Sequence, residues 1–456
     1  MPPSSSLLIR DIHALALMDE DHTVLRGGFL YIEDGEILQL GTSPPAGLRP
    51  RQTIVARYMV AVPGFINTHH HLYQTLTRAC TAGIDAGLFD WLRALYPLWA
   101  RIDEESLETA ALVGMAELML SGCTTTTDHH YVFPRGCGKM IDAEIGAARR
   151  IGIRFHPTRG SMSVGRSQGG LPPDSVVQKE ETILADCERL IRTYHDPAPG
   201  SMLRVALAPC SPFSVSPELM RETALLAERH HVRLHTHLAE TRDEEVYCVQ
   251  RFGRRPLDLL QDAGWLGAGT WLAHGIHFNA SEVKRLGRAG CGIAHCPSSN
   301  MRLGSGIAPV LGLRRAGCPV GLGVDGSASN DSSHMLAEVR QALLLTRLAR
   351  GAAAINVKDA LRMATIEGAR CLGRDDIGTL EAGKRADVAL FDLRGIGYSG
   401  AEDPVAALLL CAPSPVHTLV IEGRVVVENS ELRTLRLDPV LEQHRRMAAR
   451  ITKGSS

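Results

Sequence analysis

The sequence lacks any excess of charge: 49 lysines and arginines face 50 aspartates and glutamates, leaving −1 at pH 7. No basic stripe runs along it, which excludes the electrostatic footprint of a nucleic-acid binder. No apolar run approaches the roughly 20 residues of a membrane-spanning helix. The first residues hold no basic stretch followed by an apolar core, so a secretory leader is not expected either. The eleven cysteines contain no Cys-x-x-Cys pair, which argues against a disulfide framework or a cysteine zinc site and for reduced thiols in the cytoplasm. The 456 residues are ample for one large α/β domain with a smaller companion.

What the chain does have is histidine and carboxylate at the ends of short apolar runs. His69 and His71 close Pro63-Gly64-Phe65-Ile66-Asn67-Thr68-His69-His70-His71, and in an extended strand alternate residues share a face. His237 lies three residues before Glu240, His274 ends Trp271-Leu272-Ala273-His274, and Asp325 ends Gly321-Leu322-Gly323-Val324-Asp325. His69, His71, His237 and Asp325 together offer three neutral nitrogens and one carboxylate. That donor set suits a divalent metal such as zinc with a position left for water.

Strands are expected at Met59 to His71, Cys123 to Asp128, Arg154 to Arg159, Leu203 to Ala208, Arg233 to His237, Thr270 to His274, Gly292 to His295 and Pro319 to Asp325. Helical patterns separate them, for example Pro217 to His230 with Ser216 as N-cap, Glu105 to Leu120 and Ser281 to Ala289. Eight strands with chemistry at their carboxyl ends describe a (β/α)8 TIM barrel. Within the last strand Gly321 and Gly323 share the face of Asp325, implying either a roomy pocket floor or a bulge. Short β-like runs in Leu7 to Leu40, with a turn at Glu33-Asp34-Gly35-Glu36, match runs at Ala386 to Leu393 and His417 to Glu428. They predict a small β-sandwich made from both chain ends: residues 1–62, then the barrel at 63–370, then 371–456 with a C-terminal tail.

Four segments carry a resemblance: Pro63 to His71, His235-Thr236-His237-Leu238-Ala239-Glu240-Thr241, His295-Cys296-Pro297-Ser298-Ser299-Asn300, and Gly323 to Asn330. They resemble the amidohydrolase superfamily, in its branch of guanine and cytosine deaminases and triazine hydrolases. The flanks match as well, through Glu381-Ala382-Gly383-Lys384-Arg385-Ala386-Asp387. Arg159-Gly160-Ser161-Met162-Ser163 and Gly169 to Asp174 are similar to the segment found in bacterial 8-oxoguanine deaminases, and a close variant occurs in triazine hydrolases. The resemblance implies hydrolytic deamination of a free small-molecule heterocycle, 8-oxoguanine first, by a metal-activated water. Pterins such as isoxanthopterin and aminated or chlorinated triazines are the alternatives. A catalytically silent assembly protein on the same fold is a distant one.

Within that chemistry Glu240 would deliver a proton to the ring nitrogen beside the attacked carbon. The resemblance gives Asp325 the water's proton and His274 the task of orienting or polarising that water. His235, one layer deeper on its strand, reads as packing or support for the ligands. Two-metal amidohydrolases carry a bridging lysine at the end of the fourth strand, whereas this chain has Ala206-Leu207-Ala208-Pro209-Cys210, so one metal per chain is expected, with zinc the foremost ion. For the substrate, Gln74 offers an amide and Trp91 either closes over a ring or packs a helix on the barrel. Arg159 and Ser161 either bond the substrate or support a loop. Cys210 and Cys296 line the pocket or lie inert in the core. Neither a nucleic acid nor a membrane is an expected partner, and a homo-oligomer is allowed.

Overall fold

A computed structural model describes residues 5–453. Eight parallel strands close into a barrel in chain order: Phe65–Asn67, Cys123–His130, Arg154–Ser161, Ala206–Pro209, Leu234–Leu238, Thr270–His274, Gly292–His295 and Val320–Leu322. Every residue of these strands is buried, as a parallel sheet wrapped in helices requires. The helices start where the sequence places caps. Ser216 accepts the Leu219 N–H at 2.9 Å at the head of Pro217–His230, and Asp103 and Asn279 form capping boxes ahead of Glu104–Leu120 and Ala280–Ala289. Each cap satisfies backbone donors that the first helical turn leaves free.

Both chain ends build one mixed nine-stranded sheet beside the barrel. Val388–Asp392 is its seam, pairing antiparallel with Met59–Pro63 on one side and Thr418–Ile421 on the other. The hairpin Val24–Glu33 to Glu36–Gly41 turns at Asp34 and Gly35, whose φ of 48° and 82° are both left-handed, as a two-residue hairpin loop of matching twist demands. The last helix, Leu437–Lys453, leaves this sheet and packs on the barrel helix Glu104–Leu120.

The first and last barrel strands differ from the expectation in a way that shapes the site. Met59 to His71 is not one strand. Met59–Pro63 belongs to the terminal sheet, the chain crosses over at Gly64, and only Phe65–Asn67 enters the barrel. His70–His71 then peels away to pair with Asp325–Gly326, a two-stranded ladder at the barrel mouth that also shortens the eighth strand to Val320–Leu322. Asn67 staples this opening, since its Nδ2 donates to Thr126 Oγ1 at 3.0 Å and its Oδ1 accepts the Val324 N–H at 2.9 Å.

The glycines of the eighth strand create neither a roomy floor nor a bulge. A Cβ on Gly323 would lie 2.6 Å from His69 Cβ and 3.1 Å from Cys296 Sγ, and one on Gly321 would lie 2.8 Å from Thr68 Cγ2. The missing side chains make room for Thr68 and His69 to cross the strand. Gly323→Ala should therefore push His69 aside, costing about 1–3 kcal/mol of stability as overpacking does and lowering metal content. A thermal melt with elemental analysis checks both, and unchanged metal loading would show that His69 tolerates the shift.

Candidate metal centre and active site

The three imidazoles at the barrel mouth have their tautomers fixed by neighbours. The Trp271 carbonyl accepts from His235 Nδ1 at 2.8 Å, so neutral His235 presents a lone pair at Nε2. That lone pair accepts from His69 Nδ1, also at 2.8 Å. Two backbone carbonyls do the same elsewhere: His129 O takes His71 Nδ1–H at 2.8 Å and Cys210 O takes His237 Nδ1–H at 2.7 Å. In each neutral ring the proton is on Nδ1, which leaves an acceptor at Nε2. Burial holds His69, His235 and His237 below the ordinary histidine range, keeping those rings neutral.

These acceptors converge. His71 Nε2 and His237 Nε2 are 3.1 Å apart, both His69 Nε2 and His71 Nε2 lie 3.3 Å from Asp325 Oδ1, and buried His69 Nε2 has no hydrogen-bond partner. Lone pairs aimed at one another with no proton between them repel, unless a cation sits among them. Three imidazole nitrogens and a carboxylate oxygen fit a divalent ion.

Beside this set sit Glu240, His274 and Asp325 Oδ2. His274 Nδ1 donates to Asn300 Oδ1 at 3.0 Å, and its Nε2 faces Glu240 Oε2 at 3.6 Å and Asp325 Oδ2 at 3.9 Å. Glu240 is not the cap of the following helix. Thr241 holds that position, and Glu244 reaches back to the Ala239 and Glu240 N–H groups at 3.0 and 2.9 Å. Burial, aided by the charge of Asp325, pushes the Glu240 carboxyl well above the ordinary glutamate range. Ala239, His274 and Asp325 have φ of 53°, 69° and 61°; such left-handed backbone is costly for non-glycine residues and concentrates at functional sites.

A cavity opens above these groups and has His71, His237, Glu240, His274 and Asp325 in its lining. Gln74 lines it, although its Oε1 already accepts the Ala328 N–H at 3.3 Å. Trp91 forms part of the wall, and its Nε1–H anchors helix Leu88–Trp99 to Ala328 O at 3.1 Å, the packing of a helix on the barrel. Arg159 and Ser161 are not brought to the cavity. Arg159 is engaged by Asp186 Oδ2 at 2.9 Å and Gln178 Oε1 at 2.8 Å and stacks on Phe133, a loop-supporting arrangement. Cys210 lines the cavity and Cys296 lies beneath Gly323, with burial pushing the Cys210 thiol up to about 12.

Sequence reasoning gave no role to His129, which stacks on His237 at 4.6 Å between centroids and orients His71 through its carbonyl. Its position two residues beyond Thr127 on the second strand was the available signal. Tyr96 and Tyr131, also on the wall, sit in segments without a recognisable motif.

The amidohydrolase family profile matches residues 60–426. The chain belongs to the amidohydrolase family. An 8-oxoguanine deaminase of Pseudomonas aeruginosa is 54% identical over 94% of this chain and 95% of its own. The hydroxydechloroatrazine ethylaminohydrolase of Pseudomonas sp. strain ADP is 40% identical over 94% and 92%. Among solved structures, atrazine chlorohydrolase from Arthrobacter aurescens TC1, complexed with zinc, superposes with a TM-score of 0.93 at 33% identity, covering 97% of this chain and 100% of the other. The family is metal-dependent, and the convergent acceptors are where this member's residues fit a metal.

His235 acts on that fit through one hydrogen bond. His235→Phe keeps the stack on Trp271, now 4.4 Å between centroids, but removes the acceptor that sets the His69 tautomer. Metal affinity should fall roughly 10- to 100-fold, measured by competition with a chelator. Unaltered affinity would show that His69 holds its tautomer without His235.

Proposed function

We propose that this chain hydrolytically deaminates a free aminated heterocycle, 8-oxoguanine in particular, giving urate and ammonia in the cytoplasm. The observation that carries the chemistry is the approach of Glu240 Oε2 to His274 Nε2 at 3.6 Å beside the convergent nitrogens, with the Glu240 carboxyl kept protonated by burial. The deaminase relative of Pseudomonas aeruginosa supports the choice of purine. In this proposal His69, His71, His237 and Asp325 hold one zinc ion, whose Lewis acidity makes a water nucleophilic near neutral pH. Cys210 in place of a bridging lysine supports a single ion.

The side chains then manage protons. Asp325 Oδ2 takes the proton that the attacking water loses as its oxygen bonds to the amidine carbon bearing the amine, and His274 Nε2 orients that water. Glu240 gives its proton to the ring nitrogen beside that carbon, so negative charge does not build up on the ring. The carbon–nitrogen bond breaks as the amine collects the proton held by Asp325 and departs as ammonia, while the remaining proton of the water passes to Glu240 and restores its carboxyl, leaving the water oxygen as the new carbonyl. His274 and Asp325 both sit on left-handed backbone, with φ of 69° and 61°.

Glu240→Gln should keep the metal and lose at least about 100-fold in kcat, since an amide fills the space without shuttling a proton. Near-normal turnover by folded, metallated variant would remove Glu240 from the reaction. His237→Ala should lower metal content and activity together. Full occupancy without activity would place His237 elsewhere in the mechanism.

The substrate is tested with metallated protein and a panel of 8-oxoguanine, guanine, isoxanthopterin, an aminated hydroxytriazine and a chlorotriazine, scoring ammonia and halide. Urate from 8-oxoguanine at the highest kcat/KM is expected. Turnover of a pterin or triazine with 8-oxoguanine ignored would overturn the purine assignment and keep the hydrolytic chemistry. No amine or halide from any of them would overturn both.

A further inference from the structure

Outside the metal end, the cavity wall is mostly apolar: Leu88, Trp91, Leu92, Phe213 and Leu303. Gln74, Tyr96, Tyr131 and Cys210 interrupt it. Gln74 Oε1 accepts the Ala328 N–H at 3.3 Å, and the Cys210 thiol lies 3.9 Å from His237 Nδ1. Tyr96 is different. Its ring is fully buried in helix Leu88–Trp99 and fixed edge-on against Trp99 at 5.7 Å between centroids, yet its hydroxyl has no hydrogen-bond partner in the protein. An unpaired buried hydroxyl is destabilising, and native interiors rarely leave one without a purpose. Neither packing nor the proton-transfer steps use this oxygen.

The geometry of a purine supplies the partner. When the amine-bearing carbon meets Glu240, His274 and Asp325, the opposite end of the fused ring system, carbon 8, points away from the metal end toward the apolar wall. In 8-oxoguanine that carbon bears an oxygen, and in guanine it bears only hydrogen. We infer that the Tyr96 hydroxyl donates a hydrogen bond to the oxygen on carbon 8 and is the specificity-determining residue that separates the oxidised purine from guanine. This rests on the 8-oxoguanine reading of the site. Burial pushes the phenol well above its ordinary range, so it remains a donor at working pH. A phenol on a packed helix is placed before the substrate arrives and loses little freedom on binding.

The test compares wild type and Tyr96→Phe on both purines, with metal content and near-UV circular dichroism as folding checks. Deleting one hydroxyl leaves the ring packing and the metal end intact. For 8-oxoguanine kcat/KM should drop roughly 5- to 100-fold, the range for a buried polar group left unpaired, while the rate on guanine changes less than about twofold. An equal loss on the two purines, or no loss on either, would overturn the assignment to the carbon-8 oxygen. If wild type turns over 8-oxoguanine, such a result leaves the proposed function standing; if wild type deaminates neither purine, both inferences fall. Titration calorimetry of wild-type protein with urate and xanthine, which differ by the same oxygen, gives an independent comparison should the variant not fold. Tighter urate supports the contact, and equal affinity overturns it.

Discussion

The mouth of the barrel is organised around three imidazole lone pairs and a carboxylate oxygen that face one another with no proton between them. Such a set is unfavourable by itself, because acceptors 3.1–3.3 Å apart repel in a site with little water to screen them. The fold maintains it by taking the other nitrogen of each ring. Carbonyls of His129, Cys210 and Trp271 are rigid acceptors at strand ends, and they act directly on two rings and through His235 on the third. The metal site is thus encoded as much in the strand register that places those carbonyls as in the ligands themselves.

That dependence accounts for otherwise odd features of the barrel. The first and eighth strands separate early, which lets His71 and Asp325 leave the cylinder and meet in a two-residue ladder. Asn67 holds the gap between neighbouring strands, and Gly321 and Gly323 surrender their side-chain space to Thr68 and His69. The left-handed backbone at His274 and Asp325 turns two side chains inward that regular strands would carry past the centre. Burial pushes the Glu240 carboxyl above its ordinary range and holds His69, His235 and His237 below theirs.

Much of this was legible from residue types alone, and the parts that were not have a common cause. His69, His71, His237, His274 and Asp325 stand out because metal-binding residue types recur at the ends of apolar runs, a pattern that the period of two and the barrel rule convert into a shared location. The eight-strand count and the helix start at Ser216 follow from local signals. The break at Pro63-Gly64 did not, because Met59 to Ile66 is apolar throughout and only tertiary pairing with Val388–Asp392 decides where the sheet ends. His129 was invisible as an orienting group since it works through its backbone, which every residue has. Arg159 stayed open between substrate and loop, because its partners Gln178 and Asp186 lie on a loop and helix that sequence spacing does not bring near.

Zinc-edge anomalous diffraction on crystals of metallated protein tests the central claim most directly. One peak per chain is expected, within roughly 2.0–2.2 Å of Nε2 of His69, His71 and His237 and of a carboxylate oxygen of Asp325. A peak ligated through Nδ1, or two peaks at the barrel mouth, would contradict the tautomer scheme from which the proposed chemistry follows.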